Sequence, residues 1–331
     1  MPILVTGGAG YIGSHMVWAL VDRGEEVVVV DNLTTGFKPN LAPSATLIVG
    51  DIGDQVFMER VFREHSISAV VHFAGSIVVP ESVADPLGYY ANNTVKSRAL
   101  IAACVNCGVR NFLFSSTAAV YGMPGVSMVE ETTSTAPISP YGTSKLMTEY
   151  MLADTARAHD FNYVALRYFN VAGADPDGRT GQSSPNATHL IKIATQAALG
   201  QRSHMSVFGS DYPTKDGTGV RDYIHVSDLI SAHVLAVDHL RSGGESMIAN
   251  CGYGQGYSVR EVISAVKRVS GVDFEVQDAP RRDGDPPALV ASSQRVRSQL
   301  SWKPEYDDLD TIVSHALAWE ARLQGRNEPL L

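Results

Sequence analysis

Short apolar runs alternate with helix-like stretches through the first half of this 331-residue chain. "ILVT", "EVVVVD", "ATLIVGD", "AVVHFAG", "NFLFSS" and "YVALRYFN" read as strands. Residues 12–23, 55–65, 82–107 and 141–159 lie between or after them and read as helices. Buried strands alternating with helices predict a parallel sheet covered on both faces. The expectation for residues 1–170 is therefore a doubly wound α/β domain.

After Asn170 the rhythm changes to a loop rich in Gly, Pro, Asp and Ser, "GADPDGRTGQSSPNATH". Helices and isolated strands such as "MSVFG" and "DFEVQ" follow it. A loop of this length marks a boundary and often binds a ligand. Residues 171–331 are predicted to form a smaller mixed α/β domain that caps the first, with some segments returning to pack on it.

Composition narrows the class. At 44% hydrophobic residues the chain can bury a large core without covalent staples. Cys104, Cys107 and Cys251 are too few for a disulfide framework, and their odd number fits a reducing compartment. Cys104 and Cys107 have no second Cys or His pair at ligand spacing, so they read as structural thiols and no metal is expected. The start, "MPILVTGGAG", carries neither a basic n-region nor a long apolar run; no signal peptide or anchor is expected, and the location is expected to be cytoplasmic. A net charge of −9 without a basic run argues against nucleic acid. Any anionic ligand must be held by local arginines and helix ends against that field.

"ILVTGGAGYIG" sets Gly7, Gly10 and Gly13 between the first strand and the first helix, with Tyr11 and Ile12 at the helix mouth. Such glycines allow a tight turn and close approach of backbone to a pyrophosphate, while the helix N-terminus offers free N–H groups. Asp31 closes the second strand and is followed by Asn32; its carboxylate suits ribose hydroxyls and repels a 2′-phosphate. Asp51 and Ile52 sit at the third strand end, and Phe73, Ala74 and Gly75 at the fourth. Residues at successive strand ends point to a Rossmann-type dinucleotide site that takes NAD rather than NADP.

"SPYGTSKLMTEY" puts Tyr141 four residues before Lys145, on one face of a helix. Alone this spacing is a weak signal. "LFSSTAAVYG" adds Ser115, Ser116 and Thr117 at the fifth strand end. With the glycine motif, the strand-end hydroxyl and Tyr-x-x-x-Lys in this order, the chain resembles the extended short-chain dehydrogenase/reductase family. Within it the nearest resemblance is to the 4-epimerases of UDP-hexoses, through "GGAGYIGSH", "VVHFAG", "ESVADPLGYYANN", "FSSTAAVYG", "LRYFNVAGADPDG", "YPTKDGTGVRDYIHVSDL" and "APRRDGDPPA".

That resemblance implies Tyr141 as acid/base, assisted by Lys145, with Thr117 on the sugar oxygen and Ser116 as the fallback. It implies transient oxidation at C4 by bound NAD, rotation of the 4-keto sugar and reduction on its other face. Asn92 and Phe169 match nicotinamide-side contacts, while Asn170, Leu190, Phe208, Arg221, Tyr223, Arg282 and Asp285 match contacts to the UDP-sugar. Three residues depart from the commonest pattern: Ile77 for a cofactor-side lysine, His189 for an asparagine, and Leu289 for a tyrosine or a small residue beside the sugar. Ala118 and Ala119 stand where a 4,6-dehydratase carries its acid pair, which weighs against elimination. Epimerases of UDP-xylose, UDP-glucuronate or N-acetylated sugars remain alternatives, as does a non-catalytic NAD sensor. A homodimer through residues 82–107 and 141–159 is implied as well.

Overall fold

The apolar runs of the first half pair side by side in parallel, as their two-sided burial requires. In the computed structural model, which describes residues 1–184, 188–282 and 285–327, seven strands form one sheet. Its order is Met247–Cys251, Asn162–Tyr168, Asn111–Thr117, Ala69–His72, Ile3–Thr6, Val27–Asp31 and Thr46–Val49. Every neighbouring pair is parallel. Residues 185–187 of the expected long loop, and 283–284 of "PRRDGD", lie outside the described residues.

Helices cover both faces. Met16, Val17 and Leu20 of Tyr11–Asp22 share one core with Val226, Leu229, Ile230 and Val237 of Val226–Arg241. On the opposite face, Met58 and Phe62 of Gln55–His65, Leu100 and Cys104 of Lys96–Cys107, and Leu152 of Pro140–Ala158 pack against Leu4, Val70 and Phe112. Full burial of each large aliphatic side chain stabilises by roughly 1.5–3 kcal/mol. The helix Val226–Arg241 and the strand Met247–Cys251 thus return from the second half of the chain to complete the first layer.

One expected helix is interrupted. Residues 82–107 do not run unbroken: Val79–Ala84 stops at Asp85, Pro86–Tyr89 restarts, and Tyr90–Val95 is a π-helical stretch before Lys96–Cys107. Pro86 cannot continue the preceding ladder, and the Asp85 carboxylate caps the new start by accepting from the Gly88 N–H at 3.0 Å. The π segment places Asn92 and Asn93 toward the loop that follows the fourth strand, where both bond Ser76.

In the second half, Val220–His225 is the hub. It pairs with Gly256–Ser258, Ala288–Ala291 and Asn170–Ala172. The strands expected to be isolated are paired: Met205–Phe208 runs parallel to Val276–Ala279. No helix among the described residues is long and apolar enough to cross a membrane.

Candidate active site

The sheet order reverses between Ile3–Thr6 and Ala69–His72, which opens a crevice beyond their carboxyl ends. Gly7 turns there with φ +67°, and a Cβ on it would lie 2.7 Å from the Ala74 nitrogen. Only glycine lets the two loops approach this closely. A Cβ on Gly13 would lie 2.2 Å from the Gly7 oxygen, so the first helix also packs directly on the turn. Gly10 caps that helix without a side chain, and no acid occupies its first turn. Its leading N–H groups therefore suit an anion.

The buried Asp31 carboxylate ties this loop to the second strand. It accepts from the Ala9 N–H at 2.9 Å and the Leu33 N–H at 2.8 Å. Each oxygen retains acceptor capacity for ribose hydroxyls. Asn32 accepts from the Thr34 N–H, which shapes the same rim. Asp51 pairs with Lys96 at 2.6 Å and accepts from Gly53; burial opposes its charge, but Lys96 holds its carboxyl below the usual range. Ile52 is buried beside it. Cradle glycines, an uncapped helix start and an oriented carboxylate together fit a dinucleotide.

Beneath the crevice runs a fully used relay. Ser97 donates to the Asn93 carbonyl, so it accepts from His72 Nε2 at 2.8 Å, and His72 Nδ1 in turn accepts from Thr6 Oγ1 at 2.7 Å. His72 is consequently neutral: burial and the nearby Lys145 charge push its pKa down to about 3. Asn93 accepts from the Ser76 N–H at 2.7 Å and donates to Ser144 at 3.0 Å, which fastens the Phe73–Gly75 loop to the helix bearing Lys145.

Ser139 caps Pro140–Ala158 by accepting from the Gly142 N–H, and the helix carries Tyr141 and Lys145 inward, both buried. Lys145 donates to the Ser115 carbonyl at 3.0 Å and stands 5.0 Å from the centre of the Phe114 ring. No carboxylate pairs with it among the described residues, and burial pulls its pKa down to about 8. Thr117 Oγ1 accepts from the Ala119 N–H at 3.1 Å, and its side chain lies close enough to the Tyr141 phenol to lower that phenol's pKa, which burial raises on balance. Ser116, the fallback, faces away and donates to Glu149 at 2.5 Å.

From the second half, Asn170, His189, Leu190 and Tyr223 line one pocket with Tyr11, whose hydroxyl donates to the Gly173 carbonyl at 2.7 Å. His189 Nδ1 is buried there without a partner among the described residues. Arg221 donates to Asp285 at 3.0 Å, and the Arg282 guanidinium stacks 4.0 Å from the Phe208 ring centre. Leu289 is buried against the turn after the fifth strand, in a cluster with Ala118, Tyr121 and Phe169. Phe73 packs on His233, with ring centres 5.0 Å apart. Asn92 donates to Ser76, and Ile77 is 51% exposed. Ser76, Asn93, Ser144 and Glu149 escape sequence reasoning; only their adjacency to Gly75, Asn92 and Lys145 marks them. No group of three or more metal-ligating side chains forms among the described residues.

Residues 3–252 match the NAD dependent epimerase/dehydratase family. The chain is 56% identical over 322 residues to the UDP-glucose 4-epimerase of Azospirillum brasilense, covering 97% of this chain and 92% of that one. It is similar, at TM-score 0.95 and 40% identity, to the crystal structure of UDP-glucose-4-epimerase from Stenotrophomonas maltophila with bound NAD and formylated UDP-arabinopyranose, covering 98% and 99% of the two chains. The UDP-Glc/GlcNAc 4-epimerase from Campylobacter jejuni is 48% identical, with a TM-score of 0.85 over 97% of this chain and 99% of that one.

Two expectations follow from the geometry. Gly13→Ala should force the first helix off the glycine turn, costing about 1–3 kcal/mol and most of the dinucleotide bound to the purified protein; a variant that retains its full complement of NAD would contradict the close-packing argument. The second concerns pH. The folded chain releases the Lys145 proton near pH 8 and the unfolded chain near 10.5, so stability rises with pH across that window. Without cofactor, Lys145→Met should remove a penalty of roughly 3 kcal/mol at pH 7 that has largely vanished by pH 10. Urea melts of both proteins at the two pH values measure it, and a difference independent of pH would refute it.

Proposed function

Because this chain belongs to the NAD dependent epimerase/dehydratase family, we propose that it is a UDP-glucose 4-epimerase, interconverting UDP-glucose and UDP-galactose at the Thr117, Tyr141 and Lys145 site. The observation that carries the reading is the meeting of the Tyr141 phenol and the Thr117 side chain beside Lys145, at the mouth of the glycine-lined crevice. Bound NAD would supply the hydride acceptor and donor for C4 of the sugar.

The protein's own groups move the proton. In the cofactor-free chain burial keeps Tyr141 protonated. The Lys145 ammonium favours the phenolate, and the positive ring of bound NAD would add to it, so that Tyr141 would serve as base toward the 4-hydroxyl. Thr117 sits on the same phenol and can pass the proton between sugar oxygen and Tyr141. The reverse transfer after the keto sugar has turned completes the exchange. Lys145 holds its place through Ser115 and stays charged below about pH 8.

The grip on the nucleotide belongs to the second half: Asn170, Leu190 and Tyr223 on the pocket, and Phe208, Arg221, Arg282 and Asp285 at the outer end. The guanidinium groups of Arg221 and Arg282 suit a diphosphate, for which Asp285 holds Arg221 ready. Around the sugar the cluster of Leu289, Ala118 and Phe169 is apolar, which leaves the hexose few fixed partners while it turns. Gly7, Gly10, Tyr11, Ile12, Gly13, Asp31, Asn32, Asp51, Ile52, Phe73, Ala74, Gly75, Asn92 and Phe169 would hold NAD. We assign residues 1–170, together with 226–251, to cofactor binding and the remainder chiefly to the nucleotide sugar.

A second substrate reading has one observation behind it. Leu289 is smaller than tyrosine, and the Campylobacter jejuni relative is a UDP-Glc/GlcNAc 4-epimerase. N-acetylated sugars are accordingly the next substrates to offer.

We further propose a homodimer. Val83, Leu87 and Val95 on the interrupted helix, and Met147 and Tyr150 on Pro140–Ala158, are exposed apolar side chains, Leu87 to 78%. These helices adjoin one another, so a second copy would cover both. Three free cysteines are consistent with a reducing, cytoplasmic setting.

UDP-galactose added to the purified protein without extra NAD should yield UDP-glucose, followed by NMR of the anomeric signals. No conversion after NAD is supplied would overturn the hexose assignment. Tyr141→Phe should lose about 10²–10⁴ in kcat while keeping bound NAD and the fold. Leu87→Asp combined with Val95→Asp should give monomers by light scattering; an unchanged mass would place the dimer contact elsewhere or remove it.

A further inference from the structure

Two contacts of the reacting pair come from the immediate neighbours of one buried serine. The Ser115 carbonyl accepts from Lys145 at 3.0 Å, and the Thr117 side chain meets the Tyr141 phenol. Side chains alternate along an extended strand, so Ser116 points the opposite way. There it is fully buried and donates to Glu149 at 2.5 Å. Tyr141, Lys145 and Glu149 recur every four residues on Pro140–Ala158, so they form one inward stripe of that helix.

Glu149 is itself immobilised. Arg167 stands directly across the sheet from Ser116 and donates to both Glu149 oxygens, at 2.9 Å from Nε and 2.6 Å from Nη2. Its remaining arm donates to the Tyr121 hydroxyl at 3.0 Å, and Tyr121 donates to Asn250 at 2.6 Å. Breaking a buried pair of this kind leaves an uncompensated buried charge, so Glu149 has one stable place.

We propose that Ser116 is a positioning residue for catalysis: its bond to the Arg167-anchored Glu149 sets the register between the strand end that supplies Ser115 and Thr117 and the helix that supplies Tyr141 and Lys145. This rests on the acid/base assignment of Tyr141 made above. Without the bond the strand end can slide against the helix, and Lys145 and Thr117 both lose their aim at the phenol. A sub-ångström displacement then lowers the rate by about tenfold.

The test uses Ser116→Ala and Ser116→Cys, whose slightly larger thiol offers only a weak donor. The phenol of Tyr141 is faced by Tyr89, Tyr168 and Thr117, with Lys145 one turn further along the same helix, and Lys145 in turn faces His72. Its titration is read by carbon-13 NMR of ring-labelled tyrosine in the NAD complex, assigned with Tyr141→Phe. Both variants should bind NAD normally, raise the Tyr141 pKa by about one unit, and lose about tenfold in kcat at unchanged KM. If either folded variant titrates and turns over like the parent, or loses rate only in proportion to lost NAD, the proposal fails. The titration needs no sugar. A parent protein inactive toward every UDP-sugar would therefore sink the substrate assignment while leaving the positioning result intact.

Discussion

A lysine ammonium buried with no carboxylate partner among the described residues is the constraint around which the site is arranged. Lys145 is 4% exposed, and its compensation consists of one strand-end carbonyl and the face of Phe114. A charge so placed is costly, and it persists only because the surrounding structure leaves it nowhere else to go. The uncompensated charge is also what makes it useful. Paired with a carboxylate, it would spend its field there rather than on the phenol one turn away.

Holding that charge requires the helix and strand to be fastened at more than one level. Asn93 and Ser144 tie the helix to the loop after the fourth strand, and His72 joins that loop's base to Thr6 and Ser97. On the far side, Ser116, Glu149 and Arg167 tie it to the strands Asn111–Thr117 and Asn162–Tyr168. The two fastenings grip opposite sides of Lys145, so the pair with Tyr141 is over-determined. The cofactor crevice is shaped by the same economy of space: Gly7 and Gly13 remove the atoms that would otherwise hold the loops and the first helix apart.

The second half of the chain is built differently. Arg221 pairs there with Asp285 and the Arg282 guanidinium stacks on Phe208, while Leu289 is buried in an apolar cluster with Ala118 that Phe169 packs against.

Much of this was legible in order along the chain. The strand rhythm, the glycine spacing, Asp31 after an apolar run and Tyr141 four residues before Lys145 are local patterns, because they encode turns, alternation and helical faces that physics reads within a few residues. The break in residues 82–107 was also written locally, in Asp85 and Pro86, but the π stretch behind it was not, since it answers to Ser76 across the crevice. What only the tertiary structure decided is which neighbour each polar group meets. Ser116 and Thr117 are chemically similar and adjacent, yet one faces Glu149 and the other Tyr141. The choice depends on the pleat of the strand and on a helix and an arginine 33 and 51 residues further along. Strand Met247–Cys251 joined the first sheet for the same reason: pairing at a sheet edge is settled by the surface available there, which no short stretch of sequence contains.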